Sequence, residues 1–209
     1  MAFKEKFKNF FKKFWNLLWK DDTWKGWLFS IVFIFVFIKF IFFPLLSLAT
    51  GTTLPLAIVE SCSMYHNQNL LSNYNTWWTQ HYLKYEAQGI NKSTFDKFGF
   101  HKGFTKGDIL FITRANPATL KVGDIIIFDA GRTNPLIHRI VKIETKDGKK
   151  IFSTMGDNNN GQLDVEKQIT EEQLIGKASL RIMPYAGWLK LIFFEGSKSP
   201  SERGLCKEN

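Results

Sequence analysis

Hydrophobic and polar positions change rhythm twice along this chain. Over residues 4–20, KEKFKNFFKKFWNLLWK, the residues Phe7, Phe10, Phe11, Phe14, Leu17 and Leu18 recur at helical spacing with lysines in the gaps. That spacing predicts an amphipathic helix lying at a membrane interface. Over residues 27–49 the alternation gives way to an almost unbroken apolar run, and about 20 such residues cross a bilayer core. Lys39 interrupts the run at an insertion cost of about 2.5–3.5 kcal/mol, which the surrounding Phe, Ile and Leu offset. Pro44 predicts a kink in the outer third. Ser47-Leu48-Ala49 has the small residues of a cleavage site, but the run is longer than the apolar core of a cleaved signal peptide, so it reads as a retained anchor.

Beyond residue 50 the period shortens to two. Short apolar or alternating runs at 56–60, 108–113, 124–128, 136–143, 150–155 and 177–183, bounded by Gly, Asp, Asn and Pro, predict strands. Thr170-Glu171-Glu172-Gln173 has the pattern of a capping box opening a short helix. Residues 66–104 break the strand pattern: Trp77, Trp78, Tyr82 and Tyr85 fall in a predicted helix ending near Gly89, followed by a polar stretch. They read as an insertion within the β domain, and its adjacent tryptophans predict burial. The apolar stretch 182–194 is too short to span a bilayer and fits equally a membrane-dipping segment or a last core element. The predicted organisation is a basic segment 1–26, an anchor 27–49, a β-rich domain 50–195 and a polar tail 196–209, and the fold class is mainly β behind one transmembrane helix.

Charge refines this picture. The net charge of +9 suggests nucleic acid, but residues 1–26 carry seven lysines against three acids, all ahead of the apolar run. Positive charge in that place sets membrane orientation, with 1–26 in the cytoplasm and the β domain outside, which predicts a single-pass protein of the cell membrane. A nucleic-acid surface would instead interleave basic and aromatic residues on a folded face. The two cysteines, Cys62 and Cys206, form no CxxC pattern and indicate neither a disulfide framework nor a zinc site. His66, His81 and His101 in the insertion match no zinc spacing, so no metal and no cofactor is expected. Asn91-Lys92-Ser93 is a weak glycosylation sequon.

Three short motifs carry candidate chemistry. Ser61-Cys62-Ser63-Met64 follows a predicted strand; a serine hydroxyl becomes a nucleophile when a base takes its proton. Ile137-His138-Arg139-Ile140-Val141 offers the base. Gly156-Asp157-Asn158-Asn159, with Asp164 beyond it, offers a carboxylate to hold the imidazole in one tautomer, completing a Ser–His–Asp relay.

In order, Ser-x-Ser-Met, Gly-Asp-Ile-Leu-Phe-Ile, Gly-Asp-Ile-Ile-Ile-Phe with His-Arg-Ile-Val, and Gly-Asp-Asn-Asn with a later Asp resemble the type I signal peptidases. The likeness is to the archaeal and endoplasmic-reticulum branch, which has His where bacterial enzymes have Lys. It covers residues 54–65 and 105–190 and omits 66–104; Tyr65-His66 and the long spacing from Asp157 to Asp164 depart from the family pattern. The resemblance implies Ser63 as nucleophile, His138 as general base, Asp164 as the acid orienting it, Asp157 as a supporting second Asp, and Ser61 with the Ser63 N–H as oxyanion donors. It implies a serine endopeptidase that cleaves signal peptides from secretory preproteins after small residues, near the bilayer surface. Leu56, Ile58, Glu60 and Leu136 are expected to border the substrate. The implied partners are preproteins, the lipid bilayer and accessory membrane subunits. Two other readings stand beside it: a non-catalytic membrane-tethered β module binding secretion partners, and a Ser–Lys peptidase using Lys142 or Lys106.

Overall fold

The computed structural model describes residues 2–66 and 74–206. Part of the predicted insertion, residues 67–73, and the last three residues of the predicted tail lie outside the described residues. The chain divides into two compact units, Met1–Ala49 and Thr50–Asn209.

In the first unit, α1 (Ala2–Trp19) carries the expected phenylalanine stripe. Phe14 of that stripe packs edge-on against Phe29 and Phe33 of α2 (Trp24–Thr50), with ring centroids 5.9 and 5.1 Å apart. Thr23 caps α2 by accepting from the Gly26 N–H, satisfying one of the orphan donors at a helix start. At 27 residues, α2 is long and apolar enough to cross a membrane. Its hydrogen-bond ladder widens into a π turn at Ile38–Phe42, where the Phe43 N–H donates to Ile38 O. Pro44 sits just beyond, and its ring excludes an ordinary bond to the carbonyl four residues back.

The second unit is built on one antiparallel sheet of six strands, ordered β1-β2-β6-β3-β4-β5. These are β1 (Leu56–Ile58), β2 (Ile109–Thr113), β3 (Ile125–Phe128), β4 (Leu136–Lys146), β5 (Lys149–Met155) and β6 (Leu174–Met183). Each falls on a run predicted from alternation, with ends shifted by a few residues. β1 lies at one edge and pairs with β2 in the register Leu56↔Phe111 and Ile58↔Ile109. Inserting β6 between β2 and β3 brings the late chain into the sheet centre. Beneath β1 and β2, Ala57, Val59, Met64, Leu110, Ile112, Ile125 and Ile127 form one apolar cluster; Ile126, Phe128, Ile140 and Phe152 anchor another.

The insertion folds as α3 (Tyr74–Glu86) and the single turn α4 (Lys92–Phe95). α3 is followed by a turn in which Gly89 takes φ +73°, a conformation that costs glycine little. Trp77, Trp78, Tyr85 and Phe95 are buried against Val141 of β4 and Met155 of β5, so the insertion is a second core. Asn91, the sequon residue, caps α4 by accepting from the Thr94 N–H. The predicted capping box at Thr170 forms a single 3-10 turn, with the Thr170 N–H donating to the Gln173 side chain at 2.9 Å. The stretch 182–194 runs into α5 (Trp188–Leu191), where Leu191 is buried while Leu189, Phe193 and Phe194 are exposed.

One expectation is corrected outright. Cys62 and Cys206 form a disulfide with Cα atoms 5.5 Å apart. Their 144-residue separation hides the pairing from any local spacing rule; the tail of the chain returns to the loop beside Ser63.

Candidate active site

β1 ends at Ile58, and the chain then turns sharply through residues 61–64. That turn is tied down by several unrelated segments. The Asn158 N–H donates to Ser63 O at 2.7 Å, the Asn158 side chain donates to Cys62 O, and the Phe104 N–H donates to Met64 O at 3.0 Å. Ser63 therefore stands on a fixed backbone.

His138 lies in β4 opposite Ile126 of β3. Its Nε2 is 2.9 Å from Ser63 Oγ. Its Nδ1 is hydrogen-bonded to Glu166 Oε1. Both His138 and Glu166 are buried. Glu166 ends the 3-10 turn Asp164–Glu166 and is held by two further donors, Thr154 Oγ1 at 3.2 Å on Oε1 and the Leu163 N–H at 2.8 Å on Oε2. Gly156 leaves room for this pair, since a Cβ there would stand 3.0 Å from His138 Nε2. An alcohol, an imidazole and a buried carboxylate are thus in line, the arrangement needed to move a proton off the alcohol.

The two aspartates expected at the imidazole sit elsewhere. Asp164 is exposed on the same 3-10 turn and pairs with Lys167 at 2.7 Å. On so short a turn, residues two apart point in different directions, and it is Glu166 that faces His138. No sequence motif singled out Glu166, and the alternation Leu163-Asp164-Val165-Glu166 would turn both acids outward; instead Leu163 and Val165 are exposed and Glu166 is buried.

Asp157 is fully buried and does not contact His138. It accepts from Arg139 Nη2 at 2.6 Å, from Arg139 Nε at 3.0 Å and from Tyr85 Oη at 2.7 Å, and bonds His66 Nε2 at 2.8 Å. Burial pushes its carboxyl up, but the Arg139 charge and the His66 bond outweigh burial and hold it far below the usual carboxylate range. Burial lowers His66 to about 4 against the opposing pull of Asp157. Its Nδ1 is buried without a partner among the described residues, which fits a neutral ring presenting a bare lone pair rather than an unpaired N–H. The other insertion histidines are occupied locally: His81 Nδ1 bonds Trp77 O, and His101 packs on Tyr74. Among the described residues, no group of three or more His, Cys, Asp and Glu is placed to hold a metal ion.

Ser61 Oγ is 3.1 Å from Ser63 Oγ, close enough for its hydroxyl to face a developing oxyanion. Leu56, Ile58, Glu60 and Leu136 are each half-buried. Leu56 and Ile58 share one face of β1, whose far edge has no strand neighbour among the described residues. Ile58 lies against Gly187. Glu60 accepts from Lys190 and Asn134, and Leu136 packs with the Ile126 cluster. The lysines weighed against His138 are engaged away from Ser63: Lys106 is buried on Glu195 at 2.8 Å, and Lys142 pairs at the surface with Glu144.

No protein-family model matches the chain. Among known proteins, the chain is 34% identical over 100 residues to the signal peptidase complex catalytic subunit SEC11C of Homo sapiens, and equally to that of Canis lupus familiaris, covering 43% of this chain and 50% of each relative. It is 30% identical over 99 residues to the signal peptidase complex catalytic subunit SEC11 of Candida dubliniensis, covering 44% of this chain and 58% of that one. The chain thus spans about half the length of the relatives it matches.

Proposed function

We propose that this chain, whose homologues are catalytic subunits of signal peptidase complexes, is a membrane-anchored serine endopeptidase that removes signal peptides from secretory preproteins. The observation that carries the reading is the single line from Ser63 Oγ through His138 to Glu166.

In the reaction, Ser63 Oγ attacks the scissile carbonyl carbon while its proton passes to His138 Nε2. Glu166 holds the Nδ1–H and stabilises the imidazolium. The oxyanion meets the Ser63 N–H and the Ser61 hydroxyl; losing one such donor costs about 2.7–4 kcal/mol. Collapse breaks the C–N bond as His138 returns its proton to the leaving amine. Water, with His138 again as base, then hydrolyses the acyl ester and frees Ser63. The edge of β1, which has no strand neighbour among the described residues, suits an extended substrate segment added by main-chain hydrogen bonds. Leu56, Ile58, Glu60 and Leu136 would border that segment and favour small side chains. The helix α2 would confine enzyme and substrate to one bilayer, raising their effective concentration. The lysines of 1–26 would hold the N-terminus in the cytoplasm, and accessory subunits would complete the assembly.

The test is cleavage of a reporter preprotein by the purified full chain in detergent or liposomes. Ser63→Ala and His138→Ala each abolish turnover; full activity in either variant sinks the assignment. A binding module would hold preprotein without turning it over.

A further inference from the structure

The active-site turn at residues 156–159 is held from outside the sheet by a residue the reaction does not use. Lys84, in the last turn of α3, donates through Nζ to Asp157 O at 2.6 Å, to Asn159 O at 2.5 Å and, more loosely, to Gly156 O at 3.4 Å. An ammonium has three donors, and here it meets three carbonyls. The same turn supplies the Asn158 N–H to Ser63 O and the Asn158 side chain to Cys62 O, and it puts Gly156 against the His138 ring. One cation therefore fixes the turn that fixes the nucleophile.

We propose that Lys84 is a positioning residue for peptide cleavage: carried by the insertion helix, it holds residues 156–159 in the shape that sets the Ser63 hydroxyl against His138. This rests on the peptidase reading above. It also gives residues 66–104 a role, since α3 is seated on β4 and β5 by Trp77, Trp78 and Tyr85 and so delivers Lys84 from a rigid base. Burial lowers the Lys84 ammonium to about 8, with the Asp157 and Glu166 charges opposing that shift. Four groups around it keep their charge near that pH. Burial holds the Tyr85 phenol, whose ring is 5.5 Å from Nζ, well above it; His81, one turn earlier on α3, and His66 are lowered and neutral; Asp157 is ionised against Arg139. Above pH of about 8 the neutral amine keeps two donors and turns a lone pair toward a carbonyl oxygen, so the turn loosens.

The experiment uses the full chain in detergent, with Lys84→Met, which keeps length but not charge, and Lys84→Arg, which keeps charge. Reporter cleavage gives kcat and KM against pH, and hydrogen exchange is read on peptides covering 61–65 and 156–160, with 109–113 as the folding reference. Wild type shows kcat falling above pH of about 8. Lys84→Met loses about tenfold to hundredfold in kcat, the scale of a small misplacement of reacting groups, with KM within about twofold. It also loses the alkaline limb and exchanges faster at 61–65 and 156–160 but not at 109–113. Lys84→Arg keeps more of kcat, and its limb moves up or disappears. Unchanged kcat and exchange in Lys84→Met overturn the proposal, as does a loss of kcat in which the alkaline limb persists. Faster exchange at 109–113 as well would mark a general fold defect and also count against it. If the wild-type chain cleaves nothing, the peptidase reading fails instead, and the exchange data alone decide whether Lys84 braces the turn.

Discussion

Replacing Glu166 by Gln isolates the carboxylate behind His138. The side chain keeps its size, so the effect lies in which hydrogen bonds it can make. The Leu163 N–H at 2.8 Å requires an oxygen at the Oε2 position. The amide therefore places its oxygen there and its NH2 toward His138. That NH2 donates to Nδ1, which forces the imidazole proton onto Nε2. The Nε2–H then points at Ser63 Oγ, 2.9 Å away, and cannot take the hydroxyl proton. A wrong-tautomer histidine of this kind costs about four orders of magnitude in kcat in a Ser–His–Asp relay, or about 5 kcal/mol of transition-state stabilisation. Glu166→Gln should thus lower kcat by about 10³–10⁴ with KM little changed, measured on a reporter preprotein in detergent or liposomes. Asp164→Ala is the paired control. Its carboxylate is exposed and touches Lys167, so kcat should stay within about twofold of wild type. Near-normal turnover in Glu166→Gln, or a comparable collapse in Asp164→Ala, would refute the assignment of the acid.

Two further outcomes follow from the buried network and the disulfide. The folded pKa of His66 is depressed to about 4, below its unfolded value of about 6.5, so its contribution to stability is complete above pH of about 6.5 and is lost as the pH falls toward 4. That is about 2 kcal/mol between pH 7 and pH 5; urea midpoints of the full chain in detergent should drop over this range, and the drop should shrink in His66→Asn, an equal drop in both proteins excluding His66 as its source. The disulfide joins residues 144 apart, for which chain entropy sets a ceiling of about 5 kcal/mol; Cys62→Ala with Cys206→Ala should lower the urea midpoint clearly, and a midpoint unmoved by these changes or by reductant would show that the bridge does not constrain the unfolded chain.

What could be read from the sequence, and what could not, follows from the range of the forces involved. Strands such as β2 and β4 announce themselves because alternate side chains must meet opposite faces of a sheet, a constraint written into neighbouring residues. Ser63 and His138 were legible through motifs, each short enough to be local. Glu166 was not, because a three-residue 3-10 turn carries no period, and its inward direction is set by Thr154, Leu163 and His138, contributed by three separate stretches of chain. The Cys62–Cys206 bridge was hidden for the same reason, and so was Lys84, which no motif marks and whose partners are carbonyls of a loop more than 70 residues away. All three bear on one short stretch of chain. The bridge ends beside Ser63, Asn158 of the turn held by Lys84 bonds Cys62 and Ser63, and Glu166 aligns the ring that Ser63 faces. A hydroxyl and an imidazole must be held to within a few tenths of an ångström to exchange a proton, and a turn of four residues cannot supply that rigidity alone. Residues that no motif marks, Glu166 and Cys206 among them, therefore meet the Ser61-Cys62-Ser63-Met64 and Gly156-Asp157-Asn158-Asn159 motifs at this one place.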